Sequence, residues 1–226
     1  MSDYLYRKIG KKNYGKTKSI KLAQELLNNK MTYDKVVPWE NGYFVPEHQT
    51  KILTKQNEAS DEQKEKQTFR QAVIDNYKKY AIDYEINICP GEKQNIDVLF
   101  LFDGSIWMGE CKGPAASGNE PLLRAVLEIE TYSQIIDQKK LIEDYTDKLN
   151  WLKTAIERNN KIRKCIIVFE KKDGKESPMH RQLYQAEYKP IWLLMRKLKI
   201  YALKAESFCA NPGKIIFFEG FSPSDY

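Results

Sequence analysis

Histidine is the scarcest reactive side chain in this sequence, with two copies, His48 and His180. Chemistry that needs clustered imidazoles is therefore excluded: there is no His-Glu-x-x-His zinc site and no multi-histidine metal box. Cysteine is nearly as sparse. Cys89, Cys111, Cys165 and Cys209 lie far apart, with no Cys-x-x-Cys pair, which argues against a zinc–thiolate site and for reduced thiols in a cytoplasmic protein. No apolar run approaches the ~18 residues that a membrane span needs. The opening residues MSDYLYRKIGKKNYGKTKS hold no apolar segment of the kind a secretory signal requires. The expectation is a cytoplasmic chain without a membrane partner. Any metal it holds must rest on carboxylates and carbonyls, which favours hard ions such as Mg2+ or Mn2+.

Charge, by contrast, is abundant and unevenly placed. Residues 1–30 carry eight Lys/Arg against Asp3 and Glu25, which accounts for the whole net charge of +6 and leaves the remaining chain neutral. A basic arm on a neutral body is a footprint for phosphate, with Lys8, Lys11 and Lys12 as candidate contacts. The competing reading is a solvated terminus. Tyr4, Tyr6 and Tyr14 lie among these lysines and are candidates for stacking on bases.

Apolar spacing organises the rest. Ile20, Ala23, Leu26 and Leu27 predict a short helix over 17–29, followed by an irregular stretch broken by Pro38, Gly42 and Pro46. A second helix is expected from Ser60-Asp61 to about Tyr80, with Phe69, Val73, Ile74 and Tyr77 on one face. DYEINICP reads as a strand, and NIDVLFLF, Asp103-Gly104 and SIWMGECKG as a β-hairpin. Asn119 is positioned to cap a helix with Pro121 in its first turn, and Leu122 to Lys161 then run without Gly or Pro. Two helices joined near Gln138 fit that length. The stripe Ile142, Tyr145, Leu149, Leu152 and Ile156 is expected to pack on the body, with a homodimer seam as the alternative. KCIIVFE is a buried strand, and Ser177-Pro178 starts a helix to about Lys189 that Pro190 kinks or ends. KIYALKAE and KIIFFEGF are late strands. The order predicts an α/β or α+β fold around one sheet. The division is a basic N-terminal extension over 1–58 and an α/β domain over 59–226, with a helical insertion at 137–162.

The hairpin carries the chemistry. Strand side chains alternate faces, so Glu110 and Lys112 share a face and Cys111 points away. Asp97 precedes the Asp103-Gly104 turn by as many residues as Glu110 follows it. Antiparallel pairing therefore brings Asp97, Glu110 and Lys112 to one end of the sheet. Two close carboxylates repel unless a cation neutralises them. The candidate ligands of a divalent ion are Asp97, Glu110 and the backbone carbonyl of Cys111, with Lys112 placed to orient a water or stabilise charge on a phosphate, the logic of phosphodiester hydrolysis. The plain alternative is a structural ion pair at a strand end.

Asp97, twelve intervening residues and Glu110-Cys111-Lys112 on an apolar hairpin resemble the PD-(D/E)XK nuclease superfamily. The helix, three strands, helix, strand order over roughly 60–171 resembles that family's core, with Ile96 where a proline often stands. The resemblance implies a restriction-endonuclease-like mixed central sheet flanked by helices. It also implies a Mg2+- or Mn2+-dependent nuclease acting on nucleic acid, DNA more than RNA, through Asp97, Glu110 and Lys112. It implies a glutamate from the first helix, for which Glu65 is the candidate and Glu62 the next. In the exonuclease-like branch the helix after the hairpin carries Gln and, four positions on, Tyr. Glu128 and Tyr132 have that spacing with Glu in place of Gln, and Gln134 is nearby. The alternative function is a non-catalytic nucleic-acid-binding module on the same fold. The small-residue loop Gly113–Asn119 lacks the Gly-Lys-Ser/Thr ending of a P-loop and reads as a border of the site. His180 reads as a surface residue and His48 has no evident partner.

Overall fold

The computed structural model describes residues 4–9, 14–29, 81–88, 95–102, 104–112, 121–156, 162–169, 171–172, 175–205, 215–217 and 219–225. Three strands, β1 (Ala81–Asn87), β2 (Asn95–Phe102) and β3 (Ser105–Lys112), form an antiparallel meander. Strand β4 (Arg163–Phe169) then pairs in parallel with β3. Two short strands, β5 (Lys171–Lys172) and β6 (Lys175–Glu176), make a separate ribbon. Strand β7 (Ile200–Ala205) is parallel to β4, and β8 (Ile215–Phe217) closes the edge antiparallel to β7. The order β1-β2-β3-β4-β7-β8 is a six-stranded mixed sheet, flanked by helices in an α/β architecture.

The β2–β3 hairpin is apolar on both faces because both faces are covered, which is why its strands read as continuous apolar runs rather than alternating ones. Leu99, Leu101, Ile106 and Met108 face the large cluster shared with the helices, while Val98, Phe100 and Trp107 join Cys165, Ile167, Tyr201 and Leu203 in a second cluster. Phe102 pairs with Ser105, leaving a two-residue turn with Gly104 at φ +64°, a conformation that costs glycine little. Gly109 is required for packing: a Cβ there would lie 2.8 Å from Val98 Cγ2 and 3.1 Å from Ile167 Cδ1.

The helices are α1 (Leu5–Lys8), α2 (Lys16–Leu27), α3 (Leu122–Ile135), α4 (Gln138–Lys148), α5 (Asn150–Ala155), α6 (Pro178–Tyr184) and α7 (Lys189–Lys197). Helix α3 lies on β3 and β4, with α1, α6 and α7 packed against it. It is buried around nearly its whole circumference, as befits a central helix. Helix α2 packs against α7, burying Leu22, Ala23 and Leu26. Tyr6 and Ile9 are buried in the same core. The solvated-terminus reading therefore does not describe residues 4–9 and 14–29, because their apolar positions are spent on the core.

Helix α2, the hairpin and β4 fall where the sequence puts them, while the helix expected over 60–80 and the cap Asn119 lie outside the described residues. Several expectations need correction. Pro121 stands before α3 rather than inside it, and the Leu122 N–H is satisfied by Gln182 Oε1 of α6 at 2.8 Å, a distant group supplying what a local cap would. The 122–161 stretch breaks twice, at Ile136-Asp137, where Asp137 caps α4 by accepting from Lys140 N at 3.0 Å, and again at Leu149. Its stripe packs on the body: Tyr145 and Leu152 are buried, Ile142, Leu149 and Ile156 lie against the core, and Tyr145 donates its hydroxyl proton to Asp83 of β1. Pro190 does not end a helix. The helix begun at Pro178 stops at Tyr184, and Pro190 sits in the first turn of α7, where its missing N–H goes unused. His180 is buried, 2% exposed, and not a surface residue; the Ser177 cap turns it inward, its N–H donating to Ser177 Oγ at 3.3 Å.

Candidate active site

The register Val98↔Gly109 continues to set Asp97 opposite Glu110, on the face that α3 covers. Asp97, Glu110 and Lys112 are 7%, 5% and 8% exposed. The Cys111 N–H donates to Asp97 Oδ2 at 2.7 Å, tying the two strands together at the open end of the hairpin. Lys112 Nζ lies 2.7 Å from Glu110 Oε1 and donates to Glu128 Oε2 of α3 at 3.0 Å. Tyr132, one turn further along α3, donates its hydroxyl proton to Glu128 Oε1 at 3.1 Å. Helical i,i+4 spacing puts these two side chains on one face. Glu110 Oε2 is buried and accepts no hydrogen bond.

Among the described residues, three carboxylates thus gather around one ammonium in a region of low dielectric. Burial, and then the charge of Asp97, push the Glu110 carboxyl well above the usual range, with Lys112 only partly offsetting them. Burial also acts on Glu128, but the Lys112 charge and hydrogen bond, Arg124 and the Tyr132 hydroxyl outweigh it and hold Glu128 below the usual range. Burial and the neighbouring Glu128 and Glu110 charges raise Tyr132, which stays a neutral donor. Among the described residues the Lys112 ammonium bridges Glu110 and Glu128, and the carboxylates at this sheet end outnumber the ammonium.

That surplus suits a hard cation. An isolated buried carboxylate oxygen carries a desolvation cost that a bound positive charge removes, and Asp97 and Glu110 are the oxygen donors placed to hold it. Among the described residues, no group of three or more His, Cys, Asp and Glu side chains is arranged around a metal ion. Two carboxylates, with the remaining ligands from solvent or a phosphate, is the habit of Mg2+ rather than of a zinc site.

The other sequence candidates divide. Glu128 and Tyr132 are brought to the site. Gln134 is not: it points to the far side of α3 and donates to Glu130 Oε1 at 2.8 Å. Lys8 is exposed on α1, whereas Lys11, Lys12, Glu62, Glu65 and the Gly113–Asn119 loop lie outside the described residues. Tyr6 is 3% exposed and so is not a stacking platform; its ring meets that of Tyr132 edge-on, with centroids 5.9 Å apart. Sequence reasoning missed the Glu128–Lys112 pair, which joins residues sixteen apart. Comparison with family models, curated proteins and solved structures gives no match.

Proposed function

We propose that the chain is a Mg2+- or Mn2+-dependent nuclease of the PD-(D/E)XK kind on a restriction-endonuclease-like fold, hydrolysing phosphodiester bonds in DNA rather than RNA. The observation that carries this reading is the buried Glu110 Oε2, without a hydrogen bond, at a sheet end where Asp97 and Lys112 converge. The β1–β2–β3 meander with β4 parallel to β3 supports the fold reading.

Asp97 and Glu110 would hold the ion, which supplies charge neutralisation and Lewis acidity at a phosphoryl oxygen. The chain does the rest by placement. The Cys111 amide fixes the Asp97 carboxylate. Glu128 holds the Lys112 ammonium beside Glu110, where its N–H groups are aimed to orient a water or to donate to a phosphate oxygen as charge develops there. Trp107, Met108 and Gly109, packed on both faces, keep the hairpin rigid beneath these groups.

Purified protein incubated with supercoiled plasmid, linear duplex, single-stranded DNA and RNA in Mn2+ tests the reading. The expected result is cleavage that a chelator stops and that Asp97→Ala and Lys112→Ala each abolish. Failure to cut any of these substrates, or cutting that survives both substitutions, overturns it. Salt-sensitive binding without turnover would instead favour the binding-module alternative.

A further inference from the structure

The whole net charge of +6 lies in residues 1–30, and helix α1 brings part of it to the flank of the site. Tyr6 docks this helix. It is 3% exposed, and its ring meets that of Tyr132 edge-on with centroids 5.9 Å apart. Tyr132 donates to Glu128, and Glu128 accepts from Lys112, so three side-chain contacts join α1 to the Lys112 ammonium. Behind it, Ile9 is fully buried and Arg124 of α3 donates to the Ile9 carbonyl at 3.4 Å. The helix is thus held at two points, and its outer side chains are placed with it. Tyr4, at its N-terminal boundary, is half-buried. The Tyr4 ring lies parallel to that of Tyr6 within 12°, with centroids 6.1 Å apart. The Arg7 guanidinium stands 5.4 Å from the centre of the Tyr4 ring, and its Nε donates to the Tyr6 hydroxyl at 3.3 Å. Lys8, the next residue, is exposed.

A partly exposed aromatic ring beside a guanidinium supplies the two contacts that hold a nucleotide. The ring stacks on the base, and the guanidinium donates to the phosphate. A guanidinium has five N–H donors, and the Tyr6 hydroxyl fixes its orientation by taking the one on Nε. Order imposed in advance by the two rings lowers the entropy lost on binding. We propose that Tyr4 and Arg7 form a nucleotide platform that grips an unpaired strand beside the cleavage site, so that the substrate is single-stranded DNA or a frayed end. Inside a duplex both faces of each base are covered by its neighbours, and a tyrosine ring reaches a base only after unstacking it. The two tyrosines of α1 divide the work: Tyr6 docks the helix and Tyr4 meets the strand. That the strand is also the one cut rests on the nuclease reading; its binding at Tyr4 and Arg7 does not.

Fluorescence anisotropy on the full chain, with a short labelled oligodeoxynucleotide in chelator so that nothing is cut, tests the platform. Tyr4→Leu, which keeps an apolar side chain against the core and removes the aromatic face, should weaken single-strand binding about tenfold, equivalent to about 1.4 kcal/mol and in the range of one stacked base. Tyr4→Phe should bind as wild type. Binding of a blunt duplex should be unchanged in both. Arg7→Gln should lower the slope of log affinity against log salt by about 0.7, one phosphate contact on a single strand. A 2-aminopurine base scanned along the oligonucleotide should be quenched at one position by wild type and Tyr4→Phe and not by Tyr4→Leu, a signature that a merely structural tyrosine would not give. Wild-type affinity in Tyr4→Leu, an unchanged slope in Arg7→Gln, equal losses on single strand and duplex, or no wild-type binding to the single strand overturns the proposal. Should Tyr4→Leu fail to fold, the Arg7→Gln slope decides alone. Cleavage in Mn2+ is scored separately. Binding as expected without cutting removes the nuclease reading and leaves the platform; cutting with neither variant altered in binding does the reverse.

Discussion

Two lysines join the sheet to α3, and they differ in one respect. Lys164 of β4 meets Glu130 Oε2 at 2.5 Å, and the other oxygen of Glu130 accepts from Gln134. One positive and one negative charge cancel, and both carboxylate oxygens have partners. Lys112 of β3 meets Glu128 from the same helix, at nearly the same burial, but Glu110 and Asp97 crowd the same end of the sheet. Among the described residues, three carboxylates gather at one ammonium here, and Glu110 Oε2 accepts no hydrogen bond. Burial does not distinguish the two pairs; charge balance does. We read the balanced pair as a staple between helix and sheet, and the unbalanced one as a place prepared for a cation.

Substitutions that act on one pair and spare the other test that contrast. The largest effect should be catalytic: Asp97→Asn or Lys112→Met lowers the cleavage rate by about 10²–10³-fold, while Lys164→Met leaves kcat near wild type, as steady-state assays in Mn2+ would show. Next comes stability. Lys164→Met strands the buried Glu130 and should cost about 3 kcal/mol in denaturant unfolding, most of it recovered in Lys164→Met combined with Glu130→Leu. Mn2+ at about 100 times its Kd should then stabilise the wild type by about 2.7 kcal/mol and Glu110→Gln not at all, read from melts with and without chelator.

The smallest effect concerns pH in the presence of chelator. The folded-state value of Glu110 lies above its unfolded one, so the stability linked to its proton is complete below the ordinary carboxyl value and lost as pH rises through the raised value. Glu110→Gln should therefore become more stable than wild type as pH rises, by about 1.4 kcal/mol at most for each unit of the shift that has been passed. Glu128 runs the other way. Its value is lowered, so its contribution is present above the ordinary carboxyl value and fades as pH falls through the lowered one. Glu128→Gln should cost most near neutrality and least in acid. Urea titrations at pH 5 and pH 8 would show the Glu110 trend, and titrations extended down to about pH 3 the Glu128 trend.

Much of the site could be read from the sequence because it depends on strand parity and register. The spacing of Asp97 and Glu110 about Asp103-Gly104 is enough to set them opposite one another, and the hairpin forms as its pattern indicates. What could not be read depends on contacts between distant segments. Gln182 capping α3, Tyr6 reaching Tyr132 and Lys112 choosing Glu128 as partner all join residues whose proximity no local rule dictates. Helix α7 differs from the expected kink or stop at Pro190 for a local reason: Ile191, Leu194 and Met195 give α7 an apolar face, and proline is at home in a first turn. His180 reads as surface beside Arg181, whereas it is buried at the helix start that Ser177 caps.

Calorimetric titration of Mn2+ into the metal-free wild type, Asp97→Asn, Glu110→Gln and Glu130→Gln tests the central contrast most directly. The account predicts binding in the wild type and in Glu130→Gln, and loss of that binding in Asp97→Asn and in Glu110→Gln. Equal binding in all four proteins, or none in the wild type, would contradict it.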